Sequence, residues 1–142
     1  MNARVQDFLA EQLATRPEAA ALSDASGAAW SFADLDRARR ALAAELRAAG
    51  VQAGDRVLLM VENCVSAVAG LYAAWELDAV AIPVNARQSE AEVTRIINHA
   101  TPAAVLLTCE VSPEAAAHAV RLDAREIAGD FGSLHLATPQ PS

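Results

Sequence analysis

The sequence predicts a layered α/β fold, a largely parallel sheet with helices on both faces and a small N-terminal β-hairpin. Three observations carry that reading. Apolar runs of strand length, "RVLLMVE" from 56, "AVAIPV" from 79 and "AAVLLT" from 103, alternate with helical patterns. The connections between them are short, so these strands, each read as covered, should be parallel neighbours joined by crossover helices. Finally, 54% of the 142 residues are hydrophobic and only 4% aromatic, which calls for an aliphatic core of short side chains on closely approaching elements.

Each element has a local cause. Val5, Phe8, Leu9 and Leu13 recur at helical spacing and Pro17 closes that segment. "AAALSD" and "AAWSF" flank "ASG" and read as a hairpin over about 20–31. Ser31 opens the clearest helix: its hydroxyl can cap the amide of Asp34, and Trp30 and Leu35 stand as a hydrophobic staple. Phe32, Leu35, Leu42 and Leu46 form the buried stripe, Asp36 can pair with Arg40, and Gly50 supplies a left-handed end near residue 49. After the strand from 56, Asn63 is the expected cap of a helix in which Ala67, Gly70, Ala73 and Ala74 allow close approach to the sheet. Ser89 with Glu92 forms a second capping box for a helix to about Ala100, and Pro113 starts another through Ala119. Residues 1–128 are read as one α/β subdomain, with a weak strand or two near its end, and 129–142 as a weakly structured tail.

Composition excludes several functions. The formal charge is −7 and the eleven basic residues, all arginine, are scattered, so neither nucleic acid nor an anionic membrane is expected as a partner. The N-terminus carries acids and no long apolar run, so neither signal peptide nor membrane span is expected and the location is read as cytoplasmic. Cys64 and Cys109 fit no metal spacing and read as small buried hydrophobes in a reducing compartment.

Ligands of open α/β sheets sit beyond the carboxyl ends of the strands, which directs attention to 62–66, 84–89 and 108–112. The first corner reads "VENCVS" and lacks the glycines of a dinucleotide fingerprint. With no lysine in the chain, a lysine-tipped phosphate loop is excluded as well. Ser66 is outside any nucleophile-elbow motif, and Cys64 has no base near it in sequence. His99, His118 and His135 show no ligand spacing and read as solvated or helix-end residues, so no catalytic or metal-binding residue is expected. Arg87, in "PVNARQS", differs: it places a permanent charge after a buried strand and just before a helix N-terminus, where an anion would find both charge and amides. The plainer alternative is a loop arginine bonded to carbonyls or paired with Glu90.

The serine-aromatic-x-x-leucine start at 31–35, "GVQAGDRV", "EN" before a helix, "AVAIPVNAR" and "AEVTRIINHATPAAVLL", in this order and spacing over about residues 5–108, resemble the N-terminal region of the AMP-dependent synthetase and ligase family of adenylate-forming acyl- and aryl-CoA synthetases. Members usually carry glycine at the position of Asp78 and often proline at that of Ala86. The resemblance implies an enzyme that joins a carboxylate to ATP, releases pyrophosphate and passes the acyl group to CoA, with ATP, Mg and CoA as cofactors of a full-length parent. Such enzymes use a phosphate loop ending in lysine and a second lysine on a C-terminal lid, and this chain has neither. The expectation is therefore an inactive opening scaffold that binds no cofactor alone, whose partners are the remainder of the synthetase or, through exposed apolar surface, a second copy in a homodimer. The alternative is a self-sufficient binding or interaction module on the same scaffold. Within the family reading, Arg87 is expected to meet a CoA phosphate.

Overall fold

In the computed structural model, residues 5–23, 27, 29–60, 64–108 and 112–139 are described. The chain runs α1 (Val5–Thr15), β1 (Ala20–Ser23), β2 (Ala29–Ser31), α2 (Phe32–Ala48), β3 (Arg56–Met60), α3 (Val65–Glu76), β4 (Val80–Val84), α4 (Glu90–Ala100), β5 (Ala104–Leu107), α5 (Pro113–Arg121), β6 (Arg125–Gly129) and β7 (Gly132–Ala137). Strands β1 and β2 form the antiparallel hairpin, and the remaining five form one sheet in the order β4-β3-β5-β7-β6. Strands β3, β4 and β5 are parallel, while β7 runs antiparallel to both β5 and β6.

The chain starts this sheet at β3, steps outward to β4, then crosses back over β3 to β5. Two crossovers of the same hand in opposite directions place their helices on opposite faces. One core accordingly joins α2 and α3 to Val57, Leu59, Ala104, Leu106, Leu134 and Leu136. The other joins α4 and α5 to Leu58, Met60, Val84, Val105 and Leu107. Alternate residues of β3 thus serve alternate cores, which is why its sequence is apolar without interruption.

The helix ends follow the expected chemistry. Ser31 accepts from the Asp34 amide and the Asp34 carboxylate accepts from the Ser31 amide, and Ser89 and Glu92 repeat the arrangement at α4. At the other end of α2, Gly50 (φ 99°) donates to the Arg47 carbonyl and Val51 to that of Leu46, closing a Schellman motif over two buried side chains. Arg40 pairs with Asp36 at 3.0 Å as anticipated. Asp78 is left-handed (φ 57°), a conformation aspartate tolerates through its short polar side chain.

Four expectations need correction. Residues 129–142 are not simply a weak tail, because Gly132–Ala137 is an internal strand of the sheet. Its alternation, Leu134 and Leu136 inward with Ser133 and His135 between, is a period-two signal interrupted only by the tight Asp130–Phe131 turn, whose Phe131 is buried. Strand β4 is a partly exposed edge, not a covered strand, with Val80 49% exposed. On α1, Phe8 is exposed and Leu9 buried, because adjacent helical positions point about 100° apart. On α3, Ala69 rather than Ala67 joins Gly70, Ala73 and Ala74 at the sheet. Asn63 lies outside the described residues; the N-cap position of α3 belongs to Cys64, whose side chain makes no capping hydrogen bond.

Both sheet edges resist further pairing. The Val80 amide bonds to the carbonyl of Asp55, just before β3, so Val80, Ile82 and Val84 turn their backbone groups to β3 and the backbone of Ala81 and Pro83 faces outward. Pro83 therefore removes a donor from the free edge, and Arg125 and Glu126 place charge on the opposite edge strand, β6.

Candidate functional site

The carboxyl ends of the parallel strands hold the candidate site, and among the described residues its best-defined part is the loop Asn85–Ser89 between β4 and α4. Asn85 shapes this loop: its Oδ1 accepts from the Arg87 amide at 2.9 Å and its carbonyl from the Gln88 amide at 3.2 Å. Ala86 is buried beneath it while Arg87 is exposed. The Arg87 guanidinium has no hydrogen bond or ion pair among the described residues, and the anticipated partner Glu90 lies 3.6 Å from Arg121 instead. A free, permanently charged fork at a strand end is suited to a phosphate or carboxylate.

The adjoining helix terminus contributes less than the sequence implied. The Glu92 amide is bonded to Ser89 Oγ at 3.1 Å, and Glu90 and Glu92 bring two carboxylates into the first turn. The Ser89 backbone amide and hydroxyl, helped by Arg95, hold the Glu92 carboxyl below its ordinary value. The positive end of the α4 dipole thus already faces its own anions, and the charge offered to a ligand is that of Arg87.

Sequence reasoning missed what holds this loop. His118, read as a solvated or helix-end residue, is buried at 5% exposure on α5. Its Nε2 lies 3.0 Å from the Ala86 carbonyl and 3.1 Å from that of Gln88, the two carbonyls flanking Arg87. Carbonyls only accept, so Nε2 carries the proton; Arg121 Nη2 bonds to Nδ1, which must then be the acceptor. The ring is therefore the neutral Nε2–H form, oriented by an arginine that Glu90 holds in turn. The helical spacing of 118 and 121 was visible in the sequence, but the 32-residue reach to Ala86 was not.

Beside the loop, Ile82, Gln88, Glu92, Arg95, Ile96, His99 and Ala100 line an open groove of about 430 Å³ between α4 and the free edge of β4. His135 borders a smaller hollow of about 250 Å³ with Ala116, Ala119, Val120 and Ala124, and its Nδ1 is buried without a partner among the described residues. The three histidines thus occupy three separate places. No group of three His, Cys, Asp or Glu among the described residues is arranged to hold a metal ion. Ser66 donates to the Phe131 carbonyl at 2.6 Å, tying α3 to the β6–β7 turn, a structural use of its hydroxyl. No described helix is long and apolar enough to cross a membrane.

The chain is 33% identical over 105 residues to 4-coumarate–CoA ligase 5 of Oryza sativa subsp. japonica, covering 73% of this chain and 19% of that one. It is 32% identical over 82 residues to a naringenin synthase of Pestalotiopsis fici, covering 56% of this chain and 3% of the relative. The N-terminal domain of FACL13 from Mycobacterium tuberculosis, solved with an inhibitor, superposes with a TM-score of 0.69 at 27% identity, covering 73% of this chain and 26% of that chain. The chain thus spans only a small part of these relatives. The model of the AMP-binding enzyme family matches residues 9–138, and the chain belongs to that family.

Proposed function

We propose that this chain is the opening scaffold of an ATP-dependent acyl- or aryl-CoA ligase, which turns a carboxylate, ATP and CoA into acyl-CoA, AMP and pyrophosphate by way of an acyl-adenylate. The observation that carries this reading is the family match over residues 9–138. By itself the 142-residue chain is proposed to be inactive. Transfer at a triphosphate needs cations placed around the phosphates. This chain has no lysine to place around the phosphates of ATP with its Mg. Those cofactors belong to the full-length parent in this reading, and a cytoplasmic location goes with it.

CoA is different, because the free Arg87 fork fits one of its phosphates. What the arrangement does is bind and orient. Purified chain incubated with ATP, Mg and aryl, medium-chain and long-chain acids should release no pyrophosphate; turnover would overturn the inactive-scaffold reading. In a full-length parent, Arg87→Ala should raise the KM for CoA about tenfold and spare adenylate formation, as loss of a ground-state contact requires. An unchanged KM rejects the phosphate contact.

The groove between α4 and β4 is the apolar surface that this reading assigns to the remainder of the synthetase, and to a second copy as a homodimer when the chain is alone. Pairing through a strand edge is disfavoured by Pro83 and by the charged β6. A monomer in sedimentation at high concentration would reject the homodimer. One observation favours the alternative, a self-sufficient binding module: β7 completes a sheet with helices on both faces and blunted edges. A coding sequence that stops at Ser142 in its natural gene would favour that module.

A further inference from the structure

We propose that His118 is the positioning residue of the Arg87 loop, holding by one shared proton the two carbonyls that flank the arginine. The inference deepens the CoA-phosphate reading and rests on it. An exposed arginine on a long, flexible arm loses binding strength when its backbone is free to move, because ordering that backbone then opposes binding. The loop Asn85–Ser89 contains no proline to fix its backbone. It has instead the Asn85 turn from within and the His118 bond from outside. The imidazole supplies what a local turn cannot, since it anchors the loop to α5 and so to the body of the domain.

The chain of contacts is directional. Glu90 Oε2 holds Arg121 Nε at 3.6 Å, Arg121 Nη2 donates to His118 Nδ1, and His118 Nε2–H is shared between Ala86 and Gln88 at 3.0 and 3.1 Å. Glu90 begins α4, and so the helix that follows the loop and the helix that clamps it are joined through the same imidazole. A second proton on Nδ1 would point a donor at the Arg121 guanidinium. The geometry therefore requires the neutral Nε2–H form.

The test uses the whole 142-residue chain labelled with ¹⁵N. Ring nitrogen spectra at neutral pH should show His118 as Nε2–H with an unprotonated Nδ1; the opposite tautomer overturns the clamp. His118→Leu should abolish exchange protection at the Arg87 and Gln88 amides, and His118→Gln, whose amide can still donate to the carbonyls, should restore part of it. In a full-length parent, CoA affinity, titrated against inorganic phosphate as a control, should weaken about tenfold in His118→Leu and in Arg87→Ala, with the double variant no weaker than Arg87→Ala alone. Additive losses would show that His118 does not act through Arg87. If Arg87→Ala leaves CoA affinity of the parent unchanged, the phosphate reading falls, while the tautomer and the exchange pattern of the 142-residue chain still decide whether His118 holds the loop. Should His118→Leu not fold, the ring spectra of the wild type and the Gln variant decide the same point.

Discussion

Replacing Gly70 with valine tests the close approach of α3 to the sheet. A Cβ built at Gly70 would stand 3.2 Å from Leu59 Cδ2, 3.5 Å from Leu106 Cδ1 and 3.9 Å from Leu42 Cδ2. All three leucines are at most 1% exposed, so none can swing its methyl out into water. Valine adds two further methyls beyond that crowded Cβ. Overpacking of this kind costs about 1–3 kcal/mol, against a gain of about 0.4 kcal/mol from replacing glycine within a helix. The net loss should therefore be about 1–2.5 kcal/mol, and at about 4 °C per kcal/mol for a domain of this size the Tm should fall by several degrees. Urea and thermal unfolding followed by far-UV circular dichroism measure both quantities. Gly70→Ala should change stability by less than about 0.5 kcal/mol, as its helical gain and its tight contact oppose each other. Leu59→Ala should cost less in the Gly70→Val background than in the wild type, because the valine methyls occupy part of the space it vacates. A Gly70→Val chain as stable as the wild type would refute the argument that close packing demands glycine here.

Ser89→Ala should cost about 1 kcal/mol through loss of the α4 cap, measured by urea unfolding. The Glu92 carboxyl in that cap has a folded-state value below its ordinary 4.5. Its contribution is therefore complete above pH 4.5 and fades as pH falls through the lower folded value, because the unfolded chain takes up the proton first. Glu92→Gln should flatten that acid limb, and an unchanged limb would count against it. Thr101 holds a left-handed C-cap at φ 45° with a β-branched side chain, so Thr101→Gly should stabilise the chain by about 1 kcal/mol in the same assay. Deleting residues 130–142 removes β7, the only strand paired with β6 among the described residues and the neighbour that covers the β5 edge. The shortened chain should lose its cooperative thermal transition; a retained one would show that β7 is dispensable.

Much of the fold was legible because its causes are local. Ser31 and Ser89 each sit three residues before an acid, Gly50 follows an amphipathic stripe, and β3 is apolar at every position from Val57 onward because it serves two cores. Such signals are complete within a few residues, and the structure reproduces them. The β4 run is different, since an apolar stretch looks the same in the middle of a sheet and at its edge. Its exposure follows from the strand order, which no short window contains.

The site divides along the same line. The sequence by itself determined that Arg87 would follow a strand and precede a helix, and that no lysine would stand anywhere near it. Only the tertiary structure decided that the α4 terminus would be filled by its own glutamates, that Arg87 would be left without a partner among the described residues, and that a histidine from α5 would hold the carbonyls on either side of it. Likewise the β6–β7 hairpin is a local pairing, but only the tertiary structure seated β7 antiparallel beside β5. The physical reason is range: capping and periodicity act over three or four residues, whereas a shared proton or a strand pairing depends on where distant segments are brought to rest.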